Sequence, residues 1–337
     1  MPWKGWQEDY RVKKRERVEA AIAGDAVDRI PVSAWRHHPV DDQSPEKFAA
    51  ATLAFQREFD FDFVKVTPAS SYCLREWGVR DSWRGHAHGT REYGAPPINN
   101  LEDWGKIAIY DPRVGDMGKV LLALELIGGQ LEAGTPFIPT IFSPLSQARN
   151  LVGDVGLLSH MRQEPDVIRG ALQVITEQTL AFLDACREIK ISGIFYAVQW
   201  ASYAHLSEVE YGVFGRPYDL QILRSVSDLW LNVLHMHGND IMFEMATEYP
   251  AAIMNWHDME TEPDLLDGLK RWSGAVCGGI RQEATLAQGS ADEVRNEALE
   301  AISSTGGRRF VLGTGCVTPI VTPYGNLRAL RLSLIHI

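Results

Sequence analysis

Two short stretches carry side chains whose type and spacing suit metal chemistry. In VLHMHG (233–238) two histidines stand two residues apart, and in LGTGC (312–316) a cysteine follows a pair of glycines. Side chains alternate across a β-strand, so His235 and His237 point to the same side, about 6 to 7 Å apart along the chain, and two imidazoles can converge there on one ion. Gly313 and Gly315 let the backbone turn so that Cys316 can face them. Imidazole and thiolate are preferred zinc ligands, and three protein ligands leave a fourth tetrahedral position open for chemistry. A His-x-His pair also arises by chance among ten histidines. Spacing alone therefore leaves a metal site and an incidental cluster both open.

Such groups need strands to aim them. Short β-rich runs occur at residues 30–35, 61–67, 135–142, 191–199, 231–237, 251–256, 274–280 and 309–314, about eight in all, the number of a (β/α)8 barrel. Amphipathic helical patterns fall between them at 45–59, 164–188, 218–228, 263–271 and 290–304, and Ser290 with Glu293 forms a capping box for the last. This alternation predicts an α/β fold, a single-domain TIM barrel spanning 1–337. Between the second and third strands an inserted segment, about 72–115, contains the Gly- and Pro-rich run RGHAHGTREYGAPP (84–97), which reads as a lid over the barrel mouth. The closing residues 330–337 read as truncated or foreign to the chain, and His336 is assigned no role.

Several further residues belong at the strand ends, where barrel chemistry takes place. His257 and Asp258 are candidates for a fourth ligand, a general base or a partner that fixes an imidazole tautomer. Arg36, His37 and His38 are placed to bind an anionic substrate group. Tyr196, a candidate catalytic donor, stands with Gln199 and Trp200 at the end of the fourth strand, although its ring suits the core equally well. Arg281 and Gln282 follow paired glycines that suggest close backbone approach to a phosphate or carboxylate. Asp240 reads as a helix cap. Cys73, Cys186 and Cys277 have no neighbouring ligand in sequence and read as structural.

Composition narrows the class. The 337-residue chain is 45% hydrophobic and 23% charged, with a net charge of −11 and acidic and basic residues intermixed. No basic stripe marks a nucleic-acid surface, and no apolar run approaches the roughly 20 residues of a membrane span. Met1–Ala20 lacks the apolar core of a secretory signal, and four scattered cysteines do not form a disulfide framework. A cytoplasmic protein is expected.

From VDRIPV (27–32) through LGTGCVTPIVTPYGNLRAL (312–330) the order of segments resembles the uroporphyrinogen decarboxylase superfamily over nearly the whole chain, most specifically in RVEAAIAGDAVDRIPV (17–32) and the 312–330 stretch. The decarboxylases proper carry an Arg-Gln-Ala-Gly-Arg run after the first strand, an aspartate after the second and a histidine between the glycines of the eighth. Here WRHHPV leaves one arginine, Arg36; TPASSYCLREWG has no aspartate; and Thr314 stands between Gly313 and Gly315. The other branch comprises corrinoid-dependent methyltransferases, in which zinc held by a His-x-Cys pair and a later cysteine activates a thiol. VLHMHG resembles that pair and Cys316 the later cysteine, with His237 as the departure. Two neutral imidazoles and one thiolate leave a divalent ion with a formal charge of about +1, which favours thiol ionisation but holds the thiolate more tightly.

The resemblance implies a methyltransferase-like enzyme with zinc on His235, His237 and Cys316, a small thiol or similar acceptor, and a separate corrinoid protein docking over the mouth; a homodimer is compatible with it. The alternatives are a uroporphyrinogen-type carboxy-lyase and a ligand-binding barrel without catalysis.

Overall fold

The computed structural model describes residues 12–333; the tail beyond 333, with His336, and the first eleven residues, which hold most of the stretch read as lacking a signal, lie outside them. Among the described residues nine strands occur in chain order: β1 (Val64–Val66), β2 (Asp81–Ser82), β3 (Glu92–Tyr93), β4 (Phe137–Phe142), β5 (Phe195–Val198), β6 (Val233–Met236), β7 (Ile253–Trp256), β8 (Ala275–Ile280) and β9 (Phe310–Thr314). Seven of them form one parallel sheet in the order β1-β4-β5-β6-β7-β8-β9. Its strands are buried on both faces, which is why they read as apolar runs and not as alternating ones.

The run at 30–35, expected as a strand, makes only an isolated parallel bridge, Val32 to Leu312 of β9. Leu312 N donates to Pro31 O and Ser33 N to Leu312 O, at 2.9 and 3.0 Å, while on the other flank Asp62 N donates to Val32 O at 2.9 Å. Pro31 has no amide hydrogen to give, which limits the ladder here.

The connecting helices begin where the sequence signals them. Ser44 caps Pro45–Phe59 by accepting from Lys47 N, and Ser290 and Glu293 complete the capping box of Ala291–Thr305. The long helix Pro165–Glu188 buries one side, including Ile168, Leu172, Ile175 and Phe182. A nine-residue helix, Tyr324–Leu332, follows Pro323. Asp240 is not a helix cap: it sits at φ 49° in a turn, and the short helix Phe243–Ala246 is preceded by Met242. No helix among the described residues is long and apolar enough to cross a membrane.

The inserted segment contains the antiparallel pair β2 and β3. Its tip reaches the strand ends: Ile320 N donates to Ala87 O at 2.7 Å, His88 pairs with Glu283, and a Cβ on Gly89 would lie 2.7 Å from the Cβ of His37.

At the opposite end, Asp62 is fully buried and accepts from Arg17 Nη1 at 2.8 Å, Arg29 Nη1 at 2.7 Å and Nη2 at 2.9 Å, and Val32 N at 2.8 Å. It thereby ties the first helix, Lys14–Ala23, to the segment that joins β9 and β1. Removing one partner of a buried ion network leaves the others desolvated and unpaired, so Asp62→Ala is expected to lower unfolding free energy by about 3–5 kcal/mol in a denaturant titration.

Candidate metal centre

His235 lies on β6 directly beside Asn255 of β7 in the strand register. Its Nδ1 is 2.7 Å from Asn255 Oδ1, while Asn255 Nδ2 donates to Cys277 O at 2.8 Å and Thr314 O at 3.0 Å. Both of those acceptors are carbonyls, so the amide nitrogen must face them and the amide oxygen must face the imidazole. His235 therefore carries its proton on Nδ1, and Nε2 presents a lone pair.

That lone pair points into a cluster. The ligand atoms of His235, His237, His257 and Cys316 all lie within 4.8 Å of one another. Cys316 Sγ is 3.8 Å from His235 Nε2 and 3.7 Å from His237 Nδ1, and His257 Nε2 is 3.2 Å from His237 Nδ1. Tetrahedral zinc with bonds of about 2.0–2.3 Å spaces its ligands roughly 3.3–3.8 Å apart, and the three separations above fall close to that range, within a set whose ligand atoms all lie within 4.8 Å. His257 Nδ1 lies 3.1 Å from Glu260 Oε2 and donates to it, so in the neutral ring Nε2 carries the lone pair. Two ring nitrogens 3.2 Å apart need a proton or cation between them.

The electrostatics keep His235 and His237 neutral and able to ligate. Burial, then the neighbouring His237 and His257, drive the His235 pKa well below its usual value, and burial with Arg149 lowers that of His237. His257 moves upward: burial pulls it down, but the Cys316 sulfur and Glu260 outweigh this.

The glycines here serve close approach. Neither Gly313 nor Gly315 adopts a left-handed backbone. A Cβ on Gly315 would lie 2.8 Å from the backbone of His257, and one on Gly313 would lie 2.9 Å from Cys277 Sγ and Ser33 O. The left-handed turn belongs instead to Gly238, φ 92°, just after His237.

The other candidates do not gather at the cluster. Tyr196 is fully buried on the opposite side of β5 and donates to Asp219 at 2.6 Å, because its neighbour Phe195 takes the inward position 5.1 Å from the His235 ring. Asp219 also accepts from Tyr211 and Tyr249, a tyrosine cage between strand and helices. His38 packs edge-on against Phe55 and tilted against Phe48, and burial with Arg36 lowers its pKa to about 4. Arg36 lies over Phe55 and Tyr324 and reaches Ile320 O and Tyr324 Oη at 3.4 Å. His37 sits under the hairpin tip, and burial followed by Lys65 lowers its pKa to about 3. Trp200 stacks on His205, and Gln199 N donates to Ser146 Oγ at 3.0 Å. Arg281 pairs with Glu297 at 2.5 Å, and Gln282 is buried in the π-helical turn Gln282–Ala287.

The carboxylate for which the Gly278–Gly279 pair makes room is the protein's own. Asp258 Oδ2 accepts from Gly279 N at 2.8 Å, and a Cβ on Gly278 would lie 2.4 Å from Asp258 Oδ1. Burial raises the Asp258 pKa to about 7.

Comparison with known proteins identifies the family. The pattern of the family described as uroporphyrinogen decarboxylase (URO-D) matches residues 13–334. The chain belongs to that family. Among curated relatives, the methylcobamide:CoM methyltransferase MtbA of Methanosarcina mazei is 24% identical over 238 residues, covering 68% of this chain and 67% of that protein. MtaA of Methanosarcina barkeri, also a methylcobamide:CoM methyltransferase, is 23% identical over 339 residues, covering 94% and 96%. A solved methyltransferase from Methanosarcina mazei superposes with a TM-score of 0.84 at 20% identity, covering 96% of this chain and 98% of its own, which shows the shared fold.

Asn255 was absent from the sequence reading; the signal was a polar residue at the inward position of the apolar run 251–256, two before His257. Groups that orient a metal-bound imidazole are worth about 10- to 100-fold in metal affinity. Asn255→Leu is expected to weaken zinc binding by about that factor in a chelator competition.

Proposed function

We propose that this family member is an enzyme, a zinc-dependent methyltransferase that moves a methyl group between a corrinoid carried by a separate protein and a small thiol or similar acceptor. The observation that carries the proposal is the convergence of three imidazoles and one thiol, whose ligand atoms all lie within 4.8 Å of one another. Two relatives that bear the name methylcobamide:CoM methyltransferase support the reaction class. In this reading the run at 30–35 joins β1 and β9 into the eight-fold barrel of one domain, with β2 and β3 as its lid.

Zinc bound here would supply Lewis acidity that lowers the pKa of an acceptor thiol. The chain's residues set up that chemistry. Asn255 holds His235 in the Nδ1-protonated tautomer, with Nε2 free to ligate. His235, His237 and Cys316 stand on or at the ends of β6 and β9, whereas His257 stands on the loop after β7, oriented by the half-exposed Glu260. His257 would therefore be the most weakly held of the four candidate ligands, and its Nε2, when not on the metal, could take the proton of an acceptor thiol. Phe195 walls the interior side of His235, ring centroids 5.1 Å apart, and Trp35 packs edge-on behind it at 5.2 Å. Three neutral imidazoles and one thiolate give the loaded site a formal charge of about +1, which favours an ionised acceptor at neutral pH.

Protein purified without added metal is expected to contain about one zinc per chain by elemental analysis, lost in Cys316→Ser and His235→Ala, and to demethylate methylcobalamin in the presence of a thiol. Metal-free protein that turns over uroporphyrinogen would establish the carboxy-lyase instead.

The role of His257 is separable. His257→Ala is expected to retain most zinc while thiol-dependent turnover falls by about 10²- to 10⁴-fold, the range of a lost proton acceptor. Loss of zinc equal to that of Cys316→Ser would show instead that His257 is a permanent ligand.

A further inference from the structure

Beyond Ser33 the first segment parts from β1. Ser33 Oγ donates to Phe63 O at 3.0 Å, but Trp35 O turns to Thr318, accepting from its N at 2.8 Å and its Oγ1 at 3.2 Å. The helix Pro45–Phe59 covers the resulting seam, and a cavity lies there, bordered by Trp35, Arg36, Thr52, Phe55 and Lys65. It leaves about 10 Å³ for the centre of a water-sized sphere, room for one small guest.

Three side-chain atoms of residues on its wall are buried without a hydrogen-bond partner: Trp35 Nε1, Arg36 Nε and Thr52 Oγ1. Trp35 is 2% exposed and Thr52 6%. Unpaired polar atoms in a protein interior are costly, and three around one cavity call for an occupant.

The charge of the wall says what that occupant is. Arg36 and Lys65 are both cations, neither pairs with a carboxylate among the described residues, and no aspartate or glutamate borders the cavity. Arg36 directs Nη1 to Ile320 O and Nη2 to Tyr324 Oη, both at 3.4 Å. Lys65, 7% exposed, donates to Thr67 Oγ1 at 3.2 Å and otherwise lies over the rings of Phe195 and Trp35, at 4.3 and 5.6 Å. Burial lowers its pKa to about 7, as befits an ammonium without a counter-charge. An indole N–H and a guanidinium N–H can only donate. A water molecule accepts two hydrogen bonds and brings no charge, whereas a halide accepts from every side and offsets the cations.

We propose that the seam binds one monatomic anion of the halide class, which accepts from Trp35 Nε1, Arg36 Nε and Thr52 Oγ1 and fastens the segment after Ser33 to the helix Pro45–Phe59. Chloride and bromide suit the space; sulfate, phosphate and organic carboxylates exceed it. The site is separate from the metal centre and does not depend on the methyl-transfer reading.

The test compares thermal unfolding in sodium chloride, sodium bromide and sodium gluconate at one ionic strength and pH. The halides are expected to raise Tm by about 2–4 °C over gluconate, saturably, at 10 to 100 times the dissociation constant. That excess disappears in Thr52→Val and in Trp35→Phe, whatever either variant does to Tm itself, and persists in Cys316→Ser. Crystals soaked in bromide are expected to show an anomalous peak between Trp35 and Thr52. Equal Tm in halide and gluconate, an excess that survives both Thr52→Val and Trp35→Phe, or an ordered water there without anomalous signal overturns the proposal. Loss of the excess in Cys316→Ser would place the halide on the metal centre and overturn it equally.

Discussion

The lateral register of β6 on β7 seats His235 against Asn255, and the chemistry of the site follows from that pairing. The amide of Asn255 is anchored by carbonyls of Cys277 and Thr314, so a single side chain couples β6 to β8 and β9 through β7. This arrangement settles which imidazole nitrogen carries hydrogen, and hence which one can meet a cation. A slip of one residue in either strand would turn His235 or Asn255 to the outer face, because side chains alternate. Parallel strands buried on both sides resist such a slip, since every alternative register unpacks two layers.

Close backbone approach is the second constraint. Gly315 lets β9 come against the backbone of His257, and Gly278 leaves room for the carboxyl of Asp258. With those side chains absent, the ends of β7, β8 and β9 crowd together, and Cys316 and His257 reach the two histidines of β6. The same crowding dehydrates the groups. Desolvation drives His235 and His237 toward their neutral, ligating form and leaves Lys65 as a cation poorly matched to its surroundings.

Much of this was legible in the chain. The alternation of apolar runs with amphipathic segments placed the sheet strands within a few residues, and the period of two put His235 and His237 on one face before any coordinates. The serine caps marked helix starts because their hydrogen bonds are local. The proposed roles of Tyr196, His38, Arg281 and the Gly278–Gly279 pair could not be judged the same way. Each depends on which partner the opposite layer offers: Asp219 for Tyr196, Phe55 for His38, Glu297 for Arg281, Asp258 for the glycines.

By itself, the sequence determined the alternating α/β architecture, the strand that carries the histidine pair and the identity of the thiolate that could join it, because periodicity and turn chemistry act over a few residues. Only the tertiary structure decided that His257 stands at the same centre, that Asn255 assigns the His235 tautomer, and that Lys65 is buried without a counter-charge. Those facts join residues tens to hundreds of positions apart. Their physical origin is the packing and desolvation of the assembled interior, which no local pattern encodes.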